Sequence, residues 1–178
     1  MFDEKRIKEA ETNVRSYFNE GLIKKVDKID ENILHILRKN SQESLRISDL
    51  LSKGDYSTLW VIVCSYYAMY YIANAVLYSM GYKVGDKISH KVTSDALIMF
   101  VKKKLKESLL EEFEEAQVDA LEIASLRANE IIESFDFERL KRSRFQYEMT
   151  EEIKKDKANT SLDRAKRFVF EMEKLLVK

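Results

Sequence analysis

An uncharged, tyrosine-rich run is the feature of this sequence that most constrains its fold. Residues 56–82 hold seven of the nine tyrosines and no Asp, Glu, Lys or Arg, although charged residues make up 35% of the chain. A helix that is apolar on every side is typically a buried one. The run therefore predicts a central core helix that ends at Gly81, with a seam of hydroxyl groups along it.

A membrane span is the alternative interpretation of the same run, because its length would suffice to cross a bilayer. Polar residues lie among the tyrosines, however: Ser57, Thr58, Ser65, Asn74 and Ser79. Tyrosine itself prefers the membrane interface to the hydrocarbon centre. We therefore expect a helix buried in protein, and no membrane association.

The scarcity of helix breakers extends the helical prediction to the whole chain. There is no proline, and the only glycines are Gly21, Gly54, Gly81 and Gly85. No run of alternating apolar and polar residues is bounded by turn residues as a strand would be. No linker or repeat divides the sequence. The expected fold is all-α, an up-and-down helical bundle formed by residues 1–178 as a single domain.

Apolar spacing and turn residues predict where the helices lie. We expect a second helix from about residue 30 to Gly54, interrupted at residues 40–42, and a loop at residues 81–89. Asp55 or Ser57 is the expected cap of the core helix, Ser89 of the next helix, and Thr160 of the last, where Asp163 would complete a capping box. The remaining helices are expected at residues 3–20, 89–101, 109–149 with a break near 135, and 160–176.

Charge and cysteine content exclude few classes of function. The 31 basic and 31 acidic residues cancel, so the net charge gives no prior for a nucleic-acid-binding surface, although a local basic face can hide within a neutral sum. Cys64 is the single cysteine and cannot form an intrachain disulfide. A reducing compartment follows as the default. The charged N-terminus has no apolar signal-peptide core, so we expect a cytoplasmic protein.

Most motifs of cofactor and metal chemistry are missing. The sequence has no glycine-rich phosphate loop, no CxxC pair and no HExxH. His35 has Asn32, not a glutamate, three residues before it, which is the wrong spacing for a carboxylate-bridged metal site. We expect neither a metal nor a cofactor.

Three elements of the sequence resemble the HEPN superfamily (higher eukaryotes and prokaryotes nucleotide-binding), in its small archaeal and bacterial form. They are the Tyr66-Tyr67-Ala68-Met69 helix, the helix-ending Gly81 and the His90-Lys91 pair. The resemblance spans about residues 43–176. It implies a bundle of four or five helices, here with an additional N-terminal helix, and usually a homodimer. It also implies RNA or nucleotide as a ligand and a minimal nucleotidyltransferase as a partner.

Many members of that superfamily are metal-independent endoribonucleases whose motif is an arginine followed, after four to six residues, by a histidine. Arg142 occupies the arginine position here, but Tyr147 stands where the histidine is expected. Tyrosine, with an ordinary pKa near 10, is a poor general base at neutral pH. Its hydroxyl can still donate a hydrogen bond to a phosphate. The substitution favours binding over cleavage.

The candidate residues each have a structural alternative. Catalytic candidates are Arg142, Tyr147 and His90, and ligand-binding candidates are Arg142, Arg144, Tyr67, Tyr71, Asn74 and Tyr78. The tyrosines could stack on bases, but core packing is favoured because tyrosine commonly carries its polar end to an interface. His90 is more readily explained as ordering a helix start, whereas phosphate binding and salt bridges explain the two arginines equally well. Lysines 102, 103, 104 and 106 are expected to form a solvated face.

Three functional hypotheses follow. The first is a dimeric RNA- or nucleotide-associated binding or regulatory module with a degenerate ribonuclease motif. The second is a metal-independent endoribonuclease, the toxin of a toxin–antitoxin pair, that uses Arg142, Tyr147 and His90. The third, outside the family, is a helical scaffold with no ligand.

Overall fold

The computed structural model describes the backbone of residues 4–134 and 151–176, and the side chains of residues 4–124 and 155–176. Within these ranges the chain forms six α-helices and one small antiparallel sheet. The prediction of an all-α helical bundle is confirmed. The elements in chain order are α1 (Glu4–Asn19), β1 (Ile23–Lys25), α2 (Glu31–Lys53), α3 (Thr58–Ser79), β2 (Tyr82–Val84), α4 (Ser89–Phe100), a 3-10 turn (Lys102–Lys104), α5 (Glu107–Ser134) and α6 (Glu151–Leu176).

Helix α3 is the centre of the bundle and packs most extensively against α2 and α6. Its fully buried side chains include Tyr66, Met69 and Ile72, which share the main core with Phe113 of α5 and Phe168 of α6. In the described part of the chain, α3 is the one helix long and apolar enough to cross a bilayer, but 61% of its most apolar stretch is buried inside the bundle. The tyrosine-rich run thus forms a core helix, as expected.

Buried hydroxyl groups join α2 to α3. Ser41 Oγ donates to the carbonyl of Ala68 at 2.7 Å, and Ser48 Oγ donates to the carbonyl of Val61 at 2.9 Å. Ser41 lies within the stretch 40–42, where we expected an interruption, and α2 runs through it unbroken. The prediction was wrong because a small polar residue lets two helices approach closely, and the neighbouring carbonyl satisfies its hydroxyl.

The predicted caps are partly correct. Ser57 caps α3 by accepting from the backbone N–H of Trp60, as predicted. Helix α4 has no side-chain cap: Ser89 is its first residue, and Ile88 precedes it in the left-handed conformation with φ 43°. The prediction of a Ser89 cap was therefore wrong.

The predicted start of the last helix was also wrong. Helix α6 begins at Glu151, nine residues before Thr160, so Thr160 is an exposed interior position and not a cap. The apolar face extends upstream of it, since buried Ala158 and Leu162 pack with Val61 and Ile62 of α3. The proposed break near residue 135 lies outside the described residues.

The sheet is an element that the sequence pattern did not predict. Strands β1 and β2 pair antiparallel, with Ile23 opposite Val84 and Lys25 opposite Tyr82. Each strand has three residues, too few to establish an alternating pattern. The pairing ties the α1–α2 connection to the α3–α4 connection, so the expected loop at residues 81–89 contains a strand.

Candidate functional site: a tyrosine-lined groove

A cluster of aromatic rings surrounds His90 where α3 faces the start of α4. The ring centroids of Tyr66, Tyr67 and Tyr70 lie 5.5, 5.9 and 4.7 Å from that of His90. Tyr71 continues the cluster, 5.7 Å from Tyr70. Residues 66, 67, 70 and 71 meet because positions three and four apart share a face of a helix. His90 is therefore half-buried in aromatic surroundings.

A short hydrogen bond fixes the orientation of His90. The Tyr66 hydroxyl lies 2.7 Å from His90 Nδ1. Burial raises the pKa of Tyr66 well above its ordinary value, with a smaller contribution from Tyr70 and Tyr67. Burial lowers the pKa of His90 below 6.5. At neutral pH both groups are uncharged, and within the described residues the second ring nitrogen of His90 has no hydrogen-bond partner.

On another side of Tyr70 lies an open groove with a volume of about 300 Å³. This volume is at the lower end of the range typical of small-molecule sites. Its walls come from α2, α3 and the segment around β2. The residues that line it are Ile33, Leu37, Tyr70, Tyr71, Asn74, Tyr78, Tyr82, Lys83, Val84, Gly85, Asp86 and Ser89.

The aromatic wall of the groove is held in place by contacts behind it. Tyr82 stacks on Phe100 with ring centroids 3.9 Å apart and planes inclined by 11°. The Tyr78 hydroxyl accepts a hydrogen bond of 3.1 Å from the backbone N–H of Asp30, the residue that caps α2. Both rings are therefore fixed before any ligand enters, which lowers the entropic cost of binding.

Asn74 is mostly engaged inside the protein. Its Nδ2 donates to the carbonyl of Tyr70 at 2.9 Å and lies 3.2 Å from the Thr93 hydroxyl of α4. The contact with Thr93 links α3 to the neighbouring helix α4. The side chain is 9% exposed, so its main role is to join α3 to α4 beneath the groove.

The structure brings some of the predicted site residues together and separates others. Tyr71, Asn74 and Tyr78 line the groove, whereas Tyr67 lies in the adjoining aromatic cluster beside His90. Arg142, Arg144 and Tyr147 lie outside the described residues, so their positions relative to the groove stay predictions. The groove residues that sequence reasoning missed include Tyr70 and Lys83.

A buried charged cluster was also missed. Asp95 of α4 is fully buried and forms an ion pair of 2.7 Å with Arg6 of α1. Its carboxylate also accepts from Asn13 Nδ2 at 3.0 Å and from the Tyr17 hydroxyl at 2.9 Å. Arg6 further pairs with Glu114 of α5. A lone aspartate within the apolar stretch of α4 is the signal that would have revealed it, because buried charges need partners.

The basic residues after α4 and the acidic side chains are the other candidate binding groups in the described part of the chain. Lys102 forms a 3.5 Å ion pair with Glu107, while Lys103 and Lys104 are exposed, as expected for a solvated face. Among the residues whose side chains are described, no group of three His, Cys, Asp or Glu residues is arranged to hold a metal ion.

Comparison with known proteins does not assign the chain to a family. No protein-family model matches the sequence, and neither the curated proteins nor the solved structures include a match to it.

Proposed function

We propose that this protein is an HEPN-like binding module that accepts the base of a nucleotide or of single-stranded RNA in the tyrosine-lined groove. The observation that carries the proposal is the groove itself, in which Tyr70, Tyr71, Tyr78 and Tyr82 present aromatic surface to a cavity of about 300 Å³. Bases stack on aromatic side chains with little dependence on sequence. The resemblance of residues 43–176 to the HEPN superfamily points to the same ligand class.

Titration of the protein with each of the four ribonucleosides, monitored through the NMR signals of the protein, tests this proposal. We expect saturable shifts at groove residues and, for Tyr71→Leu, binding weakened about tenfold, since one stacked ring contributes about 1–3 kcal/mol. Tyr71→Phe keeps the ring and should bind nearly as the wild type does. Tyr56→Leu is the matched control, because Tyr56 is 75% exposed and lies outside the groove. The proposal would be overturned if none of the nucleosides gave saturable shifts, or if Tyr71→Leu bound them as tightly as the wild type does.

A homodimer is the second part of the proposal, as the resemblance implies. Its support is a stripe on α3 where Trp60, Cys64 and Tyr67 follow the four-three spacing of one helix face and stay partly exposed. Trp60 is 55% exposed. Tryptophan and tyrosine are enriched in the cores of protein–protein interfaces.

Sedimentation velocity tests the dimer. We expect a dimer for the wild type and a monomer for Trp60→Glu. Phe170→Glu, which introduces the same charge at a 63% exposed position of α6, should stay dimeric. A wild-type monomer at micromolar concentrations would contradict this part of the proposal.

Endoribonuclease activity is a second candidate function, and the geometry of His90 favours it. A neutral imidazole with one nitrogen held by Tyr66 and the other without a partner in the described residues is suited to proton transfer. Incubation with structured RNA in EDTA separates the two functions. RNA cleavage by the wild type that is lost in both Arg142→Ala and His90→Gln would establish nuclease activity. RNA that stays intact would leave the binding module as the proposed function. A helical scaffold remains if neither binding nor cleavage occurs.

A further inference from the structure

Two lysines lie side by side on the small sheet. Lys24 of β1 is directly opposite Lys83 of β2. The backbone bonds from Gly85 N–H to the Leu22 carbonyl and from Val26 N–H to the Gly81 carbonyl, both 2.8 Å, flank this pair by two residues on each side. Lys24 and Lys83 therefore occupy a hydrogen-bonded pair position and point to the same face of the sheet.

This pairing is unfavourable for the protein alone. Like charges directly opposite on neighbouring strands destabilise a sheet. Many other lysines of the chain have acidic partners, such as Lys157 with Asp119 at 2.7 Å and Lys166 with Asp49 at 2.7 Å. Within the described residues, neither Lys24 nor Lys83 forms an ion pair, and both are exposed. Two unneutralised ammonium groups on adjacent strands form a local site of positive potential.

The lysine pair adjoins the groove. Lys83 lies between Tyr82 and Val84, and all three line the cavity. Asp86 also lines it and is the acidic group that opposes the lysines there. Lys83 and Asp86 carry opposite charges in the lining, and Lys24, which lies opposite Lys83 on β1, adds a second positive charge beside this rim. The aromatic wall and the cationic rim thus meet at one end of a single cavity.

We propose that Lys24 and Lys83 form a phosphate subsite at the rim of the groove, so that the ligand is a base with an attached phosphate. This inference rests on the proposed function and adds the group that the lysines bind. Lysine ammonium groups bind phosphate as point charges, and charge-assisted hydrogen bonds are the stronger ones. A free nucleotide and an RNA strand share this chemistry.

Calorimetric titration of the full-length protein with adenosine, AMP, inorganic phosphate and a six-nucleotide oligoadenylate tests the subsite. We expect AMP to bind at least tenfold more tightly than adenosine. Lys24→Ala and Lys83→Ala should each weaken AMP binding about tenfold and leave adenosine binding unchanged. Lys5→Ala is the matched control: Lys5 is exposed on α1, about 20 Å along the helix from the end that leads to β1. It should bind AMP as the wild type does.

The outcomes separate the subsite from the proposed function. Equal binding of adenosine and AMP, or unchanged AMP binding by the lysine variants, would remove the subsite and leave the base groove. If neither adenosine nor AMP binds, both the subsite and the base groove are ruled out. Tighter binding of the oligonucleotide than of AMP, lost in the lysine variants and weakened by salt, supports the subsite with an RNA strand as ligand. Tighter binding of AMP supports it with a free nucleotide.

Protein stability gives an independent readout. If the lysines serve a ligand, their removal relieves repulsion, so Lys24→Ala and Lys83→Ala should unfold at the same or a higher urea concentration than the wild type. A clear loss of stability in both variants would indicate a structural role instead and would contradict the subsite.

Discussion

The hydroxyl of Tyr66 lies 2.7 Å from Nδ1 of His90 and joins the core helix to the first turn of α4. Tyr66 is fully buried, whereas His90 is half-buried. Both groups are uncharged at neutral pH, because burial raises the pKa of Tyr66 and lowers the pKa of His90. The fold therefore works against protonation of His90.

Stability should fall below about pH 6.5 because of His90. In the unfolded chain its pKa is the ordinary 6.5, and in the folded protein it is lower. Between these two values the unfolded state binds the proton more strongly, so acid favours unfolding; above both, neither state is protonated and this stability is fully present. Urea denaturation from pH 7.5 to 5 should show a smaller loss of stability in His90→Gln than in the wild type. His35→Gln, at an exposed position, controls for removal of a histidine. A loss as large in His90→Gln as in the wild type would contradict the assignment.

Removing the buried carboxylate of α4 should loosen α1. Asp95→Ala leaves Arg6 without one of its partners and removes acceptors from Asn13 and Tyr17, so we expect a loss of about 3 kcal/mol in the free energy of unfolding. Denaturation curves measure this loss, and amide exchange should quicken first in α1. Lys8→Ala, which breaks an exposed 3.9 Å pair with Glu4, should have little effect. Equal effects of the two substitutions would refute a special role for the buried cluster.

The serine pair between α2 and α3 should behave as a coupled unit. The Ser48 and Ser65 hydroxyls lie 2.8 Å apart and both are fully buried. Ser48→Ala or Ser65→Ala alone leaves a buried hydroxyl with one fewer partner, at a cost of about 1–2 kcal/mol. The double variant should lose less stability than the sum of the losses in the two single variants. A double-mutant cycle from urea denaturation measures the coupling, and strict additivity would argue against the hydrogen bond.

Glycine is required at position 81 and not at position 54. Gly81 has φ 87°, and a Cβ there would lie 3.4 Å from the Val26 carbonyl oxygen, so Gly81→Ala should cost about 1–2 kcal/mol. Gly54 has φ −84°. The three atoms nearest to a Cβ there belong to the ring of Tyr56, which is 75% exposed and can turn away. Gly54→Ala should therefore be nearly neutral by thermal denaturation. A larger loss at position 54 than at 81 would show that this backbone argument is wrong.

Local pattern predicted the helices better than it predicted their contacts. The Ser57 cap follows from residue type, because a short polar side chain reaches the first free N–H groups of a helix. The same rule wrongly predicted that α6 starts at Thr160, because the apolar face of the helix continues upstream through Ala158. Nothing local links Arg6 to Asp95 or Lys24 to Lys83, since each pair is brought together by the packing of distant segments.

By itself, the sequence determined that the chain is helical and that residues 56–82 supply its core, because helix propensity and the absence of charge act over neighbouring residues. It also singled out Tyr71, Asn74 and Tyr78 as sharing a face, since helix periodicity fixes that relation. Only the tertiary structure decided that this face opens onto a groove beside Lys83, and that Asn74 turns inward to Thr93. Cavities and charge pairs depend on which elements pack together, and that is settled by long-range burial, not by local spacing.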